Sequence, residues 1–185
     1  MENKKKVLIV VDMQNDFIDG ALGTKEAQAI VDNVTKKVAE AKKNDDVVVF
    51  TQDTHTEDYL NTQEGKNLPV PHCIKGTDGW EITSKIDIPK ECLMYEKGSF
   101  GSGELGKDLS DSEGEISAIE FVGLCTDICV LSNVVIAKAA LPEVPITVDA
   151  ACCAGVTPKS HDEALGALQM IQVKVVNQGQ EPWRA

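Results

Sequence analysis

Basic side chains, aromatic rings and long apolar runs are all scarce in this sequence of 185 residues. Lys and Arg number 18 against 30 Asp and Glu, so the formal net charge of −12 argues against a nucleic-acid partner, which needs clustered cations. The apolar run at residues 7–11 is too short for a signal peptide, and nothing approaches the roughly 20 apolar residues of a membrane-spanning helix. We therefore expect a cytoplasmic protein with neither a nucleic-acid nor a membrane partner.

The six cysteines include no Cys-x-x-Cys pair, which argues against a thioredoxin-type site and a zinc ribbon. Several of them lie inside apolar segments, and a chain of this length buries a sizeable core without disulfides. We expect reduced thiols. The length suits one domain, spanning residues 1–185.

Short apolar segments alternate with amphipathic ones along the chain. The apolar segments predict six strands, at residues 5–13, 46–52, 92–97, 118–124, 145–150 and 173–176. The amphipathic segments predict helices at residues 24–44, with Thr24 as N-cap, 127–140 and 158–171. This alternation predicts an α/β fold: a three-layer α/β/α sandwich with a mostly parallel, doubly wound, Rossmann-like sheet of about six strands.

Sites in such sheets form beyond the carboxyl ends of the strands, where three chemically useful side chains are expected to meet. They are Asp12 after the first strand, Lys97 at the end of the third and Cys129 beyond the fourth. Cys129 falls in the first turn of a helix, where free N–H groups favour a thiolate, whereas Cys125 lies in the preceding turn. The backbone N–H groups of Cys125 and Cys129 are candidates for an oxyanion hole. A buried structural role for Cys129 is the alternative.

The long polar segment at residues 53–78 holds two of the three histidines. Its candidate metal ligands are Asp53, His55, Glu64 and His72, with Asp58 as a spare carboxylate. Two imidazoles and two carboxylates suit a divalent cation, zinc being favoured over manganese or iron. Their spacing matches no general zinc motif, so a loop with chance polar residues is the alternative.

Five motifs, in order along nearly the whole chain, resemble those of the isochorismatase-like cysteine hydrolases, and within them the nicotinamidase (pyrazinamidase) branch. They are VDMQNDF, TQDTH, PHCIKGTDG, EKGSFGS and GLCTDICV. The resemblance implies an Asp-Lys-Cys catalytic group at Asp12, Lys97 and Cys129, and the metal set named above. It also implies a cis peptide bond at Leu124–Cys125 and a homo-oligomer, either a dimer or a tetramer.

The activity that the resemblance implies is hydrolysis of nicotinamide to nicotinate and ammonia through a thioester on Cys129, with a divalent metal bound. One alternative is the same chemistry on another small amide or carbamoyl metabolite. A second is a non-catalytic relative that only binds ligands, and a third is a thiol redox protein that uses Cys125 and Cys129.

The substrate pocket is where this sequence departs from the branch. Many nicotinamidases have an aromatic residue three positions before the last histidine ligand, and here that position is Pro69. The remaining candidate substrate contacts are Phe17, Leu124, Trp80 and Phe100, although Trp80 also suits a packing role at the start of a helix.

Two features near the C-terminus are expected to lie outside the site. His161 stands at the start of a helix, where a capping or surface role is expected. Residues 181–185 are expected to form a loose tail.

Overall fold

The computed structural model describes residues 4–184, which form one six-stranded sheet with helices on both faces. The strands are β1 (Lys5–Val11), β2 (Val47–Asp53), β3 (Leu93–Lys97), β4 (Ile116–Leu124), β5 (Ile146–Ala154) and β6 (Lys174–Val176). All neighbouring strands pair in parallel, in the order β3-β2-β1-β4-β5-β6. The predicted doubly wound α/β fold is confirmed.

Within residues 4–184, six α-helices connect these strands. They are α1 (Asn15–Ile18), α2 (Lys25–Lys43), α3 (Gln63–Asn67), α4 (Gly103–Asp111), α5 (Leu131–Ala140) and α6 (Pro158–Met170). Short 3₁₀ turns occur at Tyr59–Asn61, Asp78–Trp80 and Pro182–Arg184. None of the helices within residues 4–184 has the length and apolarity needed to cross a membrane.

Helix α2 forms where the sequence predicts it, and its N-terminus is capped by Thr24. The Oγ1 of Thr24 accepts a hydrogen bond of 2.9 Å from the backbone N–H of Ala27, which satisfies a donor that the helix itself leaves free. The apolar positions at three- and four-residue spacings are all buried: Ala27, Ile30, Val31, Val34, Val38 and Ala41. Burying an Ile or Val side chain stabilises a fold by roughly 1.5–3 kcal/mol, so this stripe fixes α2 on the sheet.

The strands are apolar on both faces because each face is covered by other elements. In β1, Ile9 and Val11 point into the core beneath α4, α5 and α6. Leu8 and Val10 point the opposite way, beneath α2 and the long connection between β2 and β3. Because successive side chains of a strand point to opposite faces of the sheet, alternate residues of β1 contribute to two different cores.

The central strands β1 and β4 approach very closely where Gly123 pairs with Val11. Gly123 has φ +115°, and a Cβ at this position would lie 2.1 Å from the carbonyl oxygen of Val11. Only glycine fits there. The contact fixes the ends of both strands, and with them the positions of Asp12, which follows Val11, and of Leu124, which follows Gly123.

The helix predicted at residues 127–140 begins differently from expectation. Thr126–Val130 forms one turn of π-helix, and α5 starts only at Leu131. Single π-helical turns occur frequently at functional sites.

Two expectations about the C-terminal part are wrong. His161 is fully buried, and the N-cap of α6 is Thr157. Glu181 is 2% exposed and Pro182–Arg184 forms an ordered turn, so residues 181–184 are not a loose tail; Ala185 lies outside the described residues. Both errors have one cause, because His161 and Glu181 are buried by contacts with each other and with distant parts of the chain.

Candidate active site

The side chains of Asp12, Lys97 and Cys129 meet beyond the carboxyl ends of the central strands. Nζ of Lys97 lies 2.7 Å from Oδ2 of Asp12 and 3.4 Å from Sγ of Cys129. None of the three residues is more than 5% exposed. The fold therefore brings the ammonium of Lys97 into direct contact with both Asp12 and Cys129.

Asp12 is placed to accept a proton. Its Oδ1 accepts a hydrogen bond of 2.6 Å from Thr51, and its buried Oδ2 faces the Lys97 ammonium at 2.7 Å. Burial raises the pKa of Asp12, and the nearby Lys97 ammonium only partly opposes this effect. A buried carboxylate with a raised pKa suits a general base.

The thiol of Cys129 is neutral at rest. Burial raises its pKa well above the usual value, the charge on Asp12 raises it further, and Lys97 opposes both effects. The N–H groups of the turn favour a thiolate, but the cost of burying a charge opposes them.

Asn133, which the sequence analysis missed, fixes the segment that carries the thiol. Its side-chain N–H₂ donates to the carbonyl oxygens of Cys129, at 2.8 Å, and Phe100, at 3.2 Å. Its side-chain oxygen accepts a hydrogen bond of 2.9 Å from the N–H of Ser102. One fully buried amide therefore ties the Cys129 turn to the loop that follows Lys97.

The peptide bond between Leu124 and Cys125 is cis, as the resemblance implies. It lies immediately before the π-helical turn. The oxyanion hole formed by the N–H groups of residues 125 and 129 stays a prediction.

The four candidate metal ligands converge on one point beside the cluster formed by Asp12, Lys97 and Cys129. The ligand atoms of Asp53, His55, Glu64 and His72 all lie within 4.8 Å of one another. Nε2 of His55 is 3.0 Å from Oδ2 of Asp53, and Nε2 of His72 is 3.4 Å from the same oxygen. Oε1 of Glu64 lies 3.6 and 3.7 Å from the two Nε2 atoms. Asp58 is not part of this group.

Neighbouring groups orient both imidazoles of this cluster. Nδ1 of His72 lies 2.8 Å from the carbonyl oxygen of Val70, to which it can only donate, so Nε2 is left as an acceptor facing the cluster. The ring of Tyr59 packs edge-on against His55 and His72, with centroid distances of 4.7 and 5.0 Å. Tyr59 is 1% exposed and was not anticipated from the sequence.

Asp53 contacts both Lys97, beside the thiol, and the two histidines of the candidate metal site. Its Oδ1 accepts a hydrogen bond of 3.2 Å from Lys97, and its Oδ2 faces the two histidines. Burial opposes ionisation, but the hydrogen bond with His55 and the charge on Lys97 help to outweigh it and hold the pKa of Asp53 below its usual value. An ionised carboxylate therefore lies between Lys97 and the two histidines.

A cavity of about 280 Å³ opens onto these groups and has a mainly apolar wall. Of the predicted substrate contacts, Phe17, Leu124 and Phe100 line it. Trp80 does not; its indole N–H donates to Thr54 at 2.9 Å, which fits the packing role considered for it. Lining residues not anticipated from the sequence include Leu22, Leu68, Ile128 and Val156.

A family model described as the isochorismatase domain matches residues 6–180. The chain belongs to the isochorismatase family. An uncharacterized isochorismatase family protein of Bacillus subtilis (strain 168) is 35% identical over 147 residues, which cover 71% of this chain and 77% of that protein.

Two further relatives connect this isochorismatase-family chain with the nicotinamidase branch. The nicotinamidase/pyrazinamidase of Mycobacterium tuberculosis is 27% identical over 139 residues, covering 68% of this chain and 74% of that protein. The structure of the Pyrococcus horikoshii pyrazinamidase in complex with zinc aligns with a TM-score of 0.81 at 26% identity, covering 93% of this chain and 98% of that one. The predicted resemblance is confirmed.

Four side chains of the first motif, VDMQNDF, lie in the site of this isochorismatase-family chain or hold its loops in place. Asp12 contacts Lys97 and Phe17 lines the cavity. The amide of Gln14 clamps the end of β2, since it donates to the carbonyl of Asp53 at 2.8 Å and accepts from the N–H of the same residue at 2.7 Å. Asp16 accepts a hydrogen bond of 2.8 Å from the N–H that follows His72, and so holds the histidine loop.

Proposed function

We propose that this protein is a cysteine amidohydrolase that cleaves nicotinamide to nicotinate and ammonia through a thioester on Cys129. The observation that carries the proposal is the contact of Lys97 with both Asp12 and Cys129, beside a histidine–carboxylate cluster and at the floor of an apolar cavity. The family membership and the nicotinamidase relatives support the same chemistry.

The proposed first half-reaction forms the thioester. Asp12 takes the proton from Sγ of Cys129 as the sulfur attacks the amide carbonyl carbon, and the resulting oxyanion is stabilised by the N–H groups of residues 125 and 129. Asp12 then gives its proton to the amide nitrogen, the C–N bond breaks, and ammonia leaves.

In the second half-reaction, water attacks the thioester. Asp12 takes a proton from this water and returns it to the departing sulfur, which releases nicotinate and restores the neutral thiol. Lys97 keeps Asp12 and the thiolate together, because its ammonium contacts both groups in a buried setting where such attractions are strong.

The histidine–carboxylate cluster fits a divalent cation, zinc being favoured over manganese or iron. Two imidazole nitrogens and two carboxylate oxygens converge there, and Nε2 of His72 is left free to bind by the contact that Nδ1 makes. Asp53, His55, Glu64 and His72 would hold the ion. A bound cation would supply a Lewis acid at the cavity wall.

The charges around the cavity favour an uncharged amide over an anionic substrate. Among the described residues that line it, Asp53 and Glu64 are acidic and none is Lys or Arg. The ammonium of Lys97 is already engaged by Asp12, Asp53 and the carbonyl oxygen of Ser99. A carbamoyl acid would bury its carboxylate near these two acidic side chains, with no lining Lys or Arg to pair with it, which is unfavourable.

The aromatic contacts differ from those expected of the branch. Pro69 is exposed and does not line the cavity, and Leu68 occupies this part of the wall instead. The ring of Phe17 packs against His72 at a centroid distance of 5.5 Å, and Phe100 is 44% exposed at the cavity. Phe17 and Phe100 are therefore the proposed contacts for the pyridine ring.

The redox alternative has less support than hydrolysis. Burial raises the pKa of Cys125 to about 12 and that of Cys129 well above its usual value. Reactive redox thiols usually have lowered pKa values.

The deciding experiment measures ammonia release from nicotinamide by the wild-type protein, by Cys129→Ala and by Cys92→Ala, a half-buried cysteine outside the site. Release should be lost in Cys129→Ala and retained in Cys92→Ala, and prior chelation should abolish it in wild type. N-carbamoylglycine should be cleaved much more slowly than nicotinamide. Turnover by Cys129→Ala would contradict the mechanism, whereas preference for the carbamoyl acid would contradict only the substrate.

A further inference from the structure

The imidazole of His161 is buried, both of its ring nitrogens have partners, and the proposed reaction does not use it. Nδ1 lies 2.7 Å from Oγ1 of Thr126, and Nε2 lies 3.2 Å from Oε1 of Glu181. These partners come from two distant parts of the chain, the turn before α5 and the C-terminal segment (residues 181–184). His161 therefore links the C-terminal segment to the turn that carries Cys129.

The direction of these hydrogen bonds follows from the charges. Burial lowers the pKa of His161, so the ring is neutral near pH 7. Burial opposes ionisation of Glu181, but a hydrogen bond from Arg184 helps to outweigh it and holds the pKa of this carboxyl below its usual value. Because a carboxylate only accepts, Nε2 carries the ring hydrogen and Nδ1 accepts from the hydroxyl of Thr126.

The C-terminal segment is itself firmly anchored. The guanidinium of Arg184 binds the carboxylates of Glu181 and Asp162. The ring of Trp183 packs edge-on against His161 at a centroid distance of 5.2 Å, and its indole N–H donates to the carbonyl of Cys153 at 3.4 Å. The segment is thus fixed to both α6 and β5.

These contacts also show that the group is not a second metal site. His161, Asp162 and Glu181 approach one another closely enough to hold a cation. Arg184 already neutralises both carboxylates, however, and both nitrogens of His161 are engaged. The arrangement is a closed network of hydrogen bonds.

The network ends at the nucleophile. Thr126 is fully buried and is the first residue of the π-helical turn, whose fourth residue is Cys129. Asp127, the second residue of this turn, accepts a hydrogen bond of 3.1 Å from the N–H of Val156. This bond also ties the turn to the segment that follows β5. We propose that Glu181 and His161, acting through Thr126, are positioning residues that hold Cys129 against Lys97 and Asp12. This inference rests on Cys129 being the nucleophile of the proposed function.

The test compares Thr126→Val, which keeps the size of the side chain but removes its donor, with Thr126→Ser, which keeps the hydroxyl. Glu181→Ala removes the far end of the network, and Glu163→Ala, an exposed carboxylate on α6, is its matched control. We expect Thr126→Val to lower kcat for nicotinamide roughly 10- to 100-fold, with KM nearly unchanged, because small displacements of a reacting group have effects of this size. Glu181→Ala should lower kcat in the same way, whereas Thr126→Ser and Glu163→Ala should stay close to wild type.

A second readout is independent of the substrate: the rate at which iodoacetamide alkylates Cys129 at pH 7, followed by mass spectrometry. Thr126→Val and Glu181→Ala should slow this reaction, since the thiol loses the ammonium that favours its ionised form. Rates equal to or above wild type in both variants, with only a lower melting temperature, would show a merely structural role and overturn the proposal. Should Thr126→Val not fold, Glu181→Ala decides alone. Failure of nicotinamide hydrolysis by the wild type would instead bear on the proposed function and leave the alkylation test intact.

Discussion

The ammonium of Lys97 lies 2.7 Å from the carboxylate of Asp12, and both groups are almost wholly shielded from water. The same ammonium contacts Asp53 at 3.2 Å and the thiol of Cys129 at 3.4 Å. Lys97 is therefore a buried positive charge that two carboxylates, those of Asp12 and Asp53, share with the thiol of Cys129.

Lys97→Met should therefore reduce both activity and stability. We expect kcat to fall about 10²- to 10³-fold, because the developing thiolate loses its cation. The free energy of unfolding at pH 8 should fall by about 3–5 kcal/mol, the usual consequence of leaving buried charges unpaired. This loss should shrink toward pH 5, since Asp12 without Lys97 takes up a proton more readily. Urea denaturation at the two pH values measures the effect.

Lys107→Met is the matched control for this prediction. Lys107 is exposed and pairs with Asp111 across one helical turn, a contact that solvent screens and that contributes little to stability. A similar loss of stability in both variants would contradict the special role of Lys97.

Glu64→Gln should weaken metal binding at the histidine–carboxylate cluster. It removes an anionic ligand but keeps the size of the side chain, and we expect the dissociation constant for zinc to rise by at least about tenfold. Asp58→Asn is the control, because Asp58 lies outside the cluster and binds Asn61. Equilibrium dialysis with elemental analysis measures both, and equal affinities would show that Glu64 is not a ligand.

Gly123→Ala should strongly destabilise the fold. The added Cβ would meet the carbonyl oxygen of Val11 at 2.1 Å in a backbone conformation that L-residues rarely adopt, so β4 must move away from β1. We expect the free energy of unfolding to drop by more than about 3 kcal/mol. In Gly166→Ala, where a Cβ in α6 meets nothing within 4 Å, stability should instead rise by up to about 1 kcal/mol. Near-equal stabilities of the two variants in urea would contradict this account of the β1–β4 contact.

His161 should make stability depend on pH below about 6.5, the ordinary pKa of histidine. Because burial lowers its pKa in the folded state, the unfolded chain binds the proton more readily, and this contribution to stability is lost as the pH falls through that value. The groups that face the ring are Thr126, Glu181 and Trp183, with Arg184 and Asp162 beyond them.

In wild type, His161 should add a slope of at most about 1.4 kcal/mol per pH unit between pH 5 and 6.5, and His161→Gln should lack it. Chemical denaturation across this range compares the two proteins. If the free energy of unfolding changed with pH in the same way in both proteins, His161 would have the same pKa in the folded and unfolded states, which would contradict the prediction.

Local patterns were enough to predict the six strands, α2 and the doubly wound sheet, because apolar spacing reports directly which face of an element is buried. The rule that sites form at the carboxyl ends of parallel strands also led to Asp12, Lys97 and Cys129 as neighbours. Helix α4 was missed, since its nine residues contain only two buried leucines, Leu105 and Leu109.

The polar residues that support the site could not be predicted in this way. Asn133, His161 and Glu181 are buried because each meets a partner far away in the chain, and no local pattern distinguishes them from surface residues. The direction in which the pKa of Cys129 shifts could not be predicted for a related reason: the turn favours a thiolate, but the cost of burying the charge depends on the whole fold.

The two clusters of the site differ in how far apart their residues lie along the sequence. Asp12, Lys97 and Cys129 come from the ends of three separate strand segments, so each is fixed by the packing of the whole sheet. The four residues of the histidine–carboxylate cluster, in contrast, all lie between positions 53 and 72. Asp53 ends β2, whereas the connection between β2 and β3 carries the other three ligands and Leu68 of the cavity wall. Evolution or a protein engineer can exchange this connection and alter which molecule the cavity selects, while Asp53 and its contact with Lys97 are inherited unchanged.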